Sequence, residues 1–240
     1  LEKFNPDYIL LLNSDTLIVQ KDWLKILVET AEKDEKIGIV GPKLMFPNGK
    51  IQWSGKKTDK NPISLILQTM TARNNPGFAE FEKNAPYSNF TGEVNTISGA
   101  CMLIKMELIR NIGLLDVSLC PMYQEDVEYS FRAWKNGYKV MYNGNIKVVH
   151  YEGYSSNNGF KSNENVWKEY LALRNSIIVS LRYIGRLNTL IFGFPFFIFA
   201  LFFDKKQKTE KLSIKNIKFK DNPLRRVLGF VKFVRDMEVK

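Results

Sequence analysis

The chain has 240 residues, which is enough for one large domain or two small ones with a proper hydrophobic core. Its apolar fraction of 45% and charged fraction of 25% are ordinary for a globular protein and exclude wholesale disorder and fibrous repeats. The net charge of +10 is unevenly spread, because residues 186–240 carry 13 basic and 5 acidic side chains while residues 1–185 are close to neutral.

Two further features of the sequence concern its context. Cys101 and Cys120 provide neither a disulfide framework nor a set of metal-binding thiolates, which is typical of a reducing compartment. The chain has no initiating Met and enters a strand-like segment almost at once. We therefore expect that an N-terminal portion is missing.

The first part of the chain has the pattern of a strand, a helix and a second strand. Tyr8–Leu12 is a short apolar run bounded by turn formers, which indicates a strand buried on both faces, as in parallel sheets. Asp22 is placed to cap a helix whose apolar residues recur at helical spacing. Residues 37–42 form a second buried strand in this interpretation. Such a βαβ pattern predicts the α/β fold class.

Further elements follow in chain order. Residues 58–95 are polar and rich in Asn and Pro, which predicts a long surface excursion of the kind that often contacts substrate. Strands and glycine-ended helices then alternate. The predicted segments are a strand at 94–104, helices at 105–112 and 125–136, strands at 138–142 and 146–150, and a longer helix at 166–184.

Residues 190–203 form an apolar run that is flanked by basic residues. As a helix it would measure roughly 21 Å, less than the ~30 Å hydrocarbon core of a bilayer, and Pro195 lies within it. We predict an interfacial or re-entrant membrane anchor rather than a crossing. A tilted crossing that begins at Leu187 and a buried core helix are the alternatives.

Polar residues at predicted strand ends are candidates for ligand binding, because open α/β sheets bind ligands there. Asp15 could hold a divalent cation against a diphosphate, or it could close an Asx turn. His150, the single histidine, could be a metal ligand or a structural residue. Gly99, after Ser98, could let the backbone approach a sugar closely or could mark a bulge.

Two acidic residues, Glu125 and Asp126, open the helix predicted at 125–136. Acidic residues in a first turn offset the helix dipole, which is one explanation of them. The other is that one carboxylate is a general base that takes a proton from an incoming hydroxyl.

Each of these signals is weak alone, but their order and spacing resemble one family. The motifs are Asn13-Ser-Asp-Thr16, Gly41-Pro-Lys43, Gly49-Lys-Ile-Gln52, Ser98-Gly-Ala-Cys-Met-Leu103, Gly113-Leu-Leu-Asp116, Tyr123-Gln-Glu-Asp126, Ser130-Phe-Arg132, Gly137-Tyr138, His150 and Arg174-Asn175. Over most of residues 8–182 this series resembles the inverting family 2 glycosyltransferases. Within that family the resemblance is to the rhamnosyltransferase-like enzymes of bacterial cell-surface polysaccharide assembly.

The resemblance implies a metal and donor site. Asp15 matches the last Asp of the family's DxD motif, which holds Mg or Mn on the donor diphosphate. Asn13 stands where the first Asp often stands, so the resemblance places it on the donor side. His150 matches a histidine that completes the metal site.

The resemblance also implies an acceptor site. Asp126 matches the proposed base that deprotonates the acceptor hydroxyl, and Glu125 supports it. Ser98 and Gly99 lie where family members line the donor-sugar and acceptor pocket.

The implied protein has a GT-A-like, Rossmann-related mixed sheet flanked by helices. Its catalytic domain covers 1–185 and a helical, membrane-associated tail covers 186–240, with contact to the membrane surface through 187–240. It transfers a sugar, rhamnose in this subgroup, with inversion from a nucleotide-sugar to a glycan or lipid-linked acceptor at the cytoplasmic face of the cell membrane. Nucleic acid is not expected as a partner, because the excess basic residues lie beside an apolar run.

One departure from the family affects this interpretation. Family members begin with a region that binds the nucleotide base and ribose, and the sequence in hand starts after it, which is a second reason to expect N-terminal truncation. The alternative function is therefore a non-catalytic remnant that binds a glycan or a partner protein.

Overall fold

The computed structural model describes residues 4–52, 54–56, 89–151, 171–172 and 174–191. These residues fall into two compact units, of which the first contains the described residues up to 151 and the second contains those from 171 onward. The second unit is helical at its described residues 171–172 and 174–191, which agrees with the predicted helix at 166–184 where the two ranges overlap. The predicted surface excursion, apart from its last residues, and the apolar run beyond residue 191 lie outside the described part of the chain.

The first unit contains eight strands and three α-helices among its described residues. The strands are β1 Tyr8–Leu12, β2 Thr16–Ile18, β3 Ile37–Met45, β4 Gly55–Lys56, β5 Thr91–Val94, β6 Thr96–Ile97, β7 Cys101–Lys105 and β8 Lys139–His150. The helices are α1 Trp23–Ala31, α2 Met106–Ile112 and α3 Glu125–Lys135, with a 3-10 turn at Val117–Leu119.

The main sheet is mixed, as predicted, and has the strand order β1-β7-β3-β8-β2. β3 and β8 are parallel, whereas β1 and β3 each pair antiparallel with β7, and β2 and β5 each pair antiparallel with β8. The strands β1 and β3 of the predicted βαβ unit therefore run in the same direction but are separated by β7.

β1 does not have the surroundings that its sequence predicts. The strand is half-buried, and it is the outermost of the described strands on its side of the sheet, next to β7. The prediction of a strand buried on both faces in a parallel sheet was wrong for this strand. It holds for β3, which is buried over almost its whole length.

β8 is a single strand of 12 residues, although two strands were predicted around Asn143. The Asn143 side chain accepts a hydrogen bond from the Thr91 hydroxyl at 3.0 Å and donates one to the Thr30 hydroxyl at 2.8 Å. These contacts keep Asn143 within the strand, although the sequence Asn143-Gly144 favours a turn. The register against β3 shifts at this point, between Pro42 and Lys43, which is where a central strand can accommodate proline.

Each face of the sheet carries one hydrophobic core, because side chains alternate between faces along a strand. Val40 and Leu103 pack with residues of α1 on one face. Ile39 and Met102, their immediate neighbours in sequence, pack with residues of α2 and α3 on the other. The sheet is thus flanked by helices, as predicted.

Local signals at the helix ends were mostly reliable. Gly113 and Gly137 follow α2 and α3 with φ of 81° and 83°, the left-handed region that glycine adopts without a steric penalty. Asp22 occupies the N-cap position of α1, but its side chain makes no capping hydrogen bond, so the predicted cap was wrong in that respect.

Within the described residues, none of the helices combines the length and hydropathy that a membrane crossing requires.

Candidate active site

Asp15 and His150 come together because β2 begins directly after Asp15 and pairs antiparallel with the end of β8. Thr16 lies opposite His150 in that register. Asp15 Oδ1 lies 3.2 Å from His150 Nε2, and the two side chains are only 9% and 11% exposed. The Asp15 carboxylate therefore faces the imidazole, as a shared ligand site requires.

The other ring nitrogen of His150 faces Gln52. Nδ1 lies 2.9 Å from Gln52 Oε1, while Gln52 Nε2 donates a hydrogen bond of 2.7 Å to the backbone carbonyl of His150. One amide side chain thus contacts both the ring and the backbone of the same histidine.

Asn13 is bonded to the loop before β7, and Ser98 lies within that loop. The backbone N–H of Asn13 donates to the carbonyl of Ala100 at 3.0 Å, and that of Ser98 donates to the carbonyl of Ser54 at 2.9 Å. The Ser98 hydroxyl accepts from the backbone N–H of Ala100 at 3.3 Å. The Asn13 side chain is exposed at the surface.

Asp126 is held by the same loop. Its Oδ2 accepts a hydrogen bond of 2.8 Å from the backbone N–H of Gly99, and its Oδ1 accepts one of 2.8 Å from the N–H of Val127. A Cβ atom added to Gly99 would lie 3.3 Å from the Cβ of Asp126, so the absence of a side chain at Gly99 allows this approach. The glycine brings backbone close to the carboxylate rather than forming a simple bulge.

The start of α3 is conformationally strained. Tyr123 and Gln124 have φ of 74° and 70°, and a non-glycine residue in this region costs of order 1–3 kcal/mol. Among the described residues, Gln124 Oε1 and Glu125 Oε2 are buried oxygen atoms without a hydrogen-bond partner. Strain and unpaired buried acceptors are features that structures retain at binding sites.

The charges of the two acidic residues are perturbed by their surroundings. Burial raises the pKa of Glu125 to about 7, and the neighbouring Asp126 adds to this effect. Burial also raises the pKa of Asp126, while the N–H groups of Gly99 and Val127 oppose the increase. Perturbed carboxyl groups of this kind are typical of acid–base sites.

Arg132, in the last turn of α3, ties the helix to the segment after α2, and sequence reasoning gave it no role. Its guanidinium donates to the carbonyls of Ile112 at 2.8 Å and Leu114 at 2.9 Å, and to Glu128 Oε2 at 2.9 Å. The motif containing Arg132 was recognised from the sequence, but spacing alone does not indicate which carbonyls the arginine meets.

The donor set of Asp15 and His150 fits a divalent cation, because carboxylate oxygen and neutral imidazole nitrogen are both ordinary ligands of such ions. Within the described residues, groups of three or more His, Cys, Asp or Glu that could hold a metal do not occur. Two protein ligands suit an ion that shares its remaining positions with water and a substrate diphosphate.

A depression of about 400 Å³ adjoins the Asp15 carboxylate. It is lined by Ser14, Asp15, Thr16, Leu17 and Tyr151. Leu17 and Tyr151 are exposed, so the depression offers apolar surface beside Asp15.

Residues 1–168 match the family described as glycosyltransferase like family 2. The chain belongs to this family. The resemblance found in the sequence motifs is confirmed at the level of the family.

Two curated relatives of this family 2 chain are bacterial. It is 26% identical over 178 residues to the O-antigen biosynthesis protein RfbC of Myxococcus xanthus, covering 70% of this chain and 13% of the relative. It is 24% identical over 150 residues to "Uncharacterized protein y4gI" of Sinorhizobium fredii, covering 62% of this chain and 16% of the relative. The chain therefore spans only a small part of the length of the curated relatives it matches.

Among solved structures, this family 2 chain is similar to the crystal structure of GalNAc-T7 with UDP, GalNAc and Mn²⁺. The TM-score is 0.48 and the identity 15%, over 96% of this chain and 40% of that chain. A likeness at this level decides neither the fold assignment nor the activity.

The structure brings predicted site residues of this family 2 protein together in two pairs. Asp15 and His150 form one pair and Gly99 and Asp126 form another, and the backbone bond from Asn13 to Ala100 links the segments that carry them. Sequence reasoning missed Gln52 as a partner of His150. The glutamine lies in a recognised motif, but it meets a residue 98 positions away, which no local pattern indicates.

Proposed function

We propose that the chain is an inverting glycosyltransferase of cell-surface polysaccharide biosynthesis. It transfers a sugar from a nucleotide-diphosphate donor to a hydroxyl group of a glycan or lipid-linked acceptor. Rhamnose from a dTDP donor is our first choice, with UDP-galactose and UDP-glucose as alternatives. Family membership supports the reaction class, and the printed name of the M. xanthus relative supports the biosynthetic setting. The observation that carries the proposal is that two buried carboxyl sites adjoin the same backbone contact. Asp15 faces His150, and the loop that accepts from the Asn13 N–H through Ala100 holds Asp126 through Gly99.

Asp126 is the proposed general base. A single displacement with inversion needs a base on the acceptor and charge stabilisation on the leaving diphosphate, but no protein nucleophile. The carboxylate takes the acceptor hydroxyl proton as the hydroxyl oxygen bonds to the anomeric carbon and the bond to the diphosphate breaks. The hydrogen bonds from Gly99 and Val127 fix the carboxylate and leave each of its oxygens a further lone pair for that proton.

Gln124 and Glu125 are proposed to orient the acceptor. Their unpaired buried oxygens can each accept a hydrogen bond from a sugar hydroxyl beside the reacting one. A ligand that supplied these donors would satisfy groups whose desolvation is otherwise uncompensated.

Asp15 and His150 are proposed to hold Mg²⁺ or Mn²⁺, with Asn13, Ser98 and Gly99 on the donor side of the site. A cation bound there would neutralise charge that develops on the leaving diphosphate. The depression beside Asp15 gives the donor space against Leu17 and Tyr151.

Two predictions about the whole protein complete the proposal. Residues 187–240 would bind the protein to the cytoplasmic face of the cell membrane, because their basic residues adjoin an apolar run. A GT-A-type arrangement of the catalytic domain is the second prediction, and it comes from the resemblance of the sequence motifs.

The experiment that tests the proposal is a transfer assay on the purified full chain. The three nucleotide-sugars are offered with a lipid-linked acceptor, with Mg²⁺, with Mn²⁺ and with a chelator, and the anomeric configuration of the product is read by NMR. We expect an inverted product that requires the cation. A retained configuration would contradict inversion. Glycan binding without nucleotide-sugar binding under any metal condition would instead favour the non-catalytic alternative.

A further inference from the structure

We infer that Gln52 is a positioning residue that keeps the His150 imidazole in the tautomer with the proton on Nδ1 and the lone pair on Nε2. This inference rests on the proposed function, because it concerns the nitrogen that would bind the cation. Two hydrogen bonds of Gln52 support it: the first fixes the orientation of the amide, and the second then fixes the position of the imidazole proton.

The first step is the orientation of the Gln52 amide. One end of the amide lies 2.7 Å from the backbone carbonyl of His150, and a carbonyl can only accept a hydrogen bond. The NH₂ group must therefore be at that end. The amide oxygen is then at the other end, 2.9 Å from His150 Nδ1.

The second step is the position of the imidazole proton. Since the Gln52 oxygen can only accept, Nδ1 must carry the proton that it donates. In a neutral imidazole the other nitrogen then has a free electron pair. That nitrogen, Nε2, is the one that faces Asp15 Oδ1 at 3.2 Å.

The contact with Gln52 keeps the imidazole proton from moving to Nε2. Without Gln52, the strongest acceptor near the ring would be the Asp15 carboxylate, and the proton would move to Nε2 to reach it. A protonated Nε2 cannot be a metal ligand. Gln52 therefore opposes a histidine–aspartate hydrogen bond and leaves two electron pairs directed at the same place, which is the arrangement a cation needs.

Gln52 is rigid enough for this role. It is 3% exposed, its backbone N–H donates to the carbonyl of Leu44 at 2.9 Å, and its carbonyl accepts from the Ser54 hydroxyl at 3.1 Å. A buried amide fixed at its backbone has little freedom to rotate away from the ring.

The direct test uses the fact that His150 is the only histidine of the chain. Labelling histidine with ¹⁵N gives one pair of imidazole signals, and their chemical shifts show which nitrogen carries the proton in the metal-free protein. We expect the proton on Nδ1. A proton on Nε2, alone or together with one on Nδ1, would overturn the inference, and this spectrum needs neither metal binding nor catalysis.

The second test compares Gln52→Met with Gln20→Met. Methionine is similar in length to glutamine but cannot hold the ring by hydrogen bonds. Gln20 is a matched control, because its Oε1 accepts from the backbone N–H of Lys147 on the same strand and does not take part in the contacts to His150. We expect Gln52→Met to move the proton to Nε2 and to weaken binding of Mn²⁺ alone by about 10- to 100-fold. Gln20→Met should change neither.

The outcomes separate this inference from the proposed function. An unchanged tautomer and unchanged Mn²⁺ affinity in Gln52→Met would overturn the inference, and if that variant does not fold, the wild-type spectrum decides alone. Lack of Mn²⁺ binding to the wild-type protein would contradict the proposed metal site, while the tautomer would still report on Gln52.

Discussion

At the scale of single residues, Asp126 combines burial with two backbone hydrogen bonds. Burial favours the protonated carboxyl group, whereas the N–H groups of Gly99 and Val127 favour the ionised one. The two hydrogen bonds thus limit the increase in the pKa that burial causes, and they fix the carboxylate in position. Its function can be tested by changing its charge and leaving its shape intact.

Asp126→Asn should lower kcat by about 10²- to 10⁴-fold, because the amide cannot accept the acceptor proton. Donor binding, measured by calorimetry, should stay close to that of the wild type. Asp116→Asn is the matched control, since Asp116 Oδ1 accepts from the Ser118 N–H and the asparagine oxygen can do the same. Unchanged turnover in Asp126→Asn would contradict the role of base.

Glu125 should make the protein less stable as pH rises. Its pKa is about 7 in the folded protein, against 4.5 ordinarily, so between these values the folded state holds a proton that the unfolded state releases. The free energy of unfolding should therefore fall as the pH rises across this window. The slope should correspond to a difference of about one bound proton between the folded and unfolded states. Denaturant unfolding at a series of pH values measures the slope.

Glu125→Gln should reduce that slope, since glutamine does not titrate, whereas the raised pKa of Asp126 acts in the same direction and remains. Glu107→Gln is the control, because Glu107 is exposed in the first turn of α2. An unchanged slope in Glu125→Gln would show that another group causes it.

Asp15→Ala should weaken metal-dependent donor binding. The substitution removes one of the two proposed protein ligands and leaves His150 and Gln52 in contact. Titration with Mn²⁺ and nucleotide-sugar measures the effect. Asp22→Ala serves as the control, because the exposed Asp22 side chain makes no capping bond. An unaltered titration in Asp15→Ala would refute the metal role.

At the scale of elements, the site depends on how closely the loop before β7 approaches α3. Gly99 provides both the contact and the clearance, since its N–H reaches Asp126 and a Cβ would crowd that residue at 3.3 Å. Near the other end of α3, Arg132 in the last turn ties the helix to the carbonyls of Ile112 and Leu114.

Gly99→Ala should therefore displace Asp126 by a few tenths of an ångström and lower kcat by about tenfold, since small errors in position are expensive in catalysis. Gly49→Ala is the contrasting variant. Gly49 has φ of 80° but open space around it, so alanine there should lower stability and leave kcat unchanged. Equal effects of both variants on kcat would contradict the positioning argument.

Elements with strong local signals were predicted best. Gly113 and Gly137 mark the ends of α2 and α3, because a left-handed residue after a helix is a local requirement. β8 was predicted as two strands for the same reason: Asn143-Gly144 is a local turn signal. In the folded protein, hydrogen bonds of Asn143 to Thr30 and Thr91 favour a continuous strand over a turn at this point.

At the scale of the whole molecule, the uneven charge is the main feature that the sequence provides. The net charge of residues 186–240 accounts for most of the +10 of the chain. Basic residues near an anionic membrane surface contribute about 1 kcal/mol each, and salt screens this attraction.

The full chain should therefore bind vesicles that contain anionic lipid more tightly than vesicles of neutral lipid, and high salt should reduce the difference. Co-sedimentation measures the bound fraction. Replacing Lys205, Lys206 and Lys208 with glutamine should weaken binding to anionic vesicles, whereas replacing Lys21, Lys25 and Lys33 in the first unit should not. Equal binding of both variants would contradict an anchor in the tail.

The sequence by itself determined the α/β class, the family and the residues of the candidate site. It could do so because apolar periodicity, helix-ending glycines and the order of motifs are properties of neighbouring residues along the chain. The tertiary structure alone decided that β7 separates β1 from β3 and that β8 is continuous. It also decided that Gln52 meets His150. Strand order and hydrogen-bond partners depend on contacts between residues far apart in sequence, and no local pattern records them.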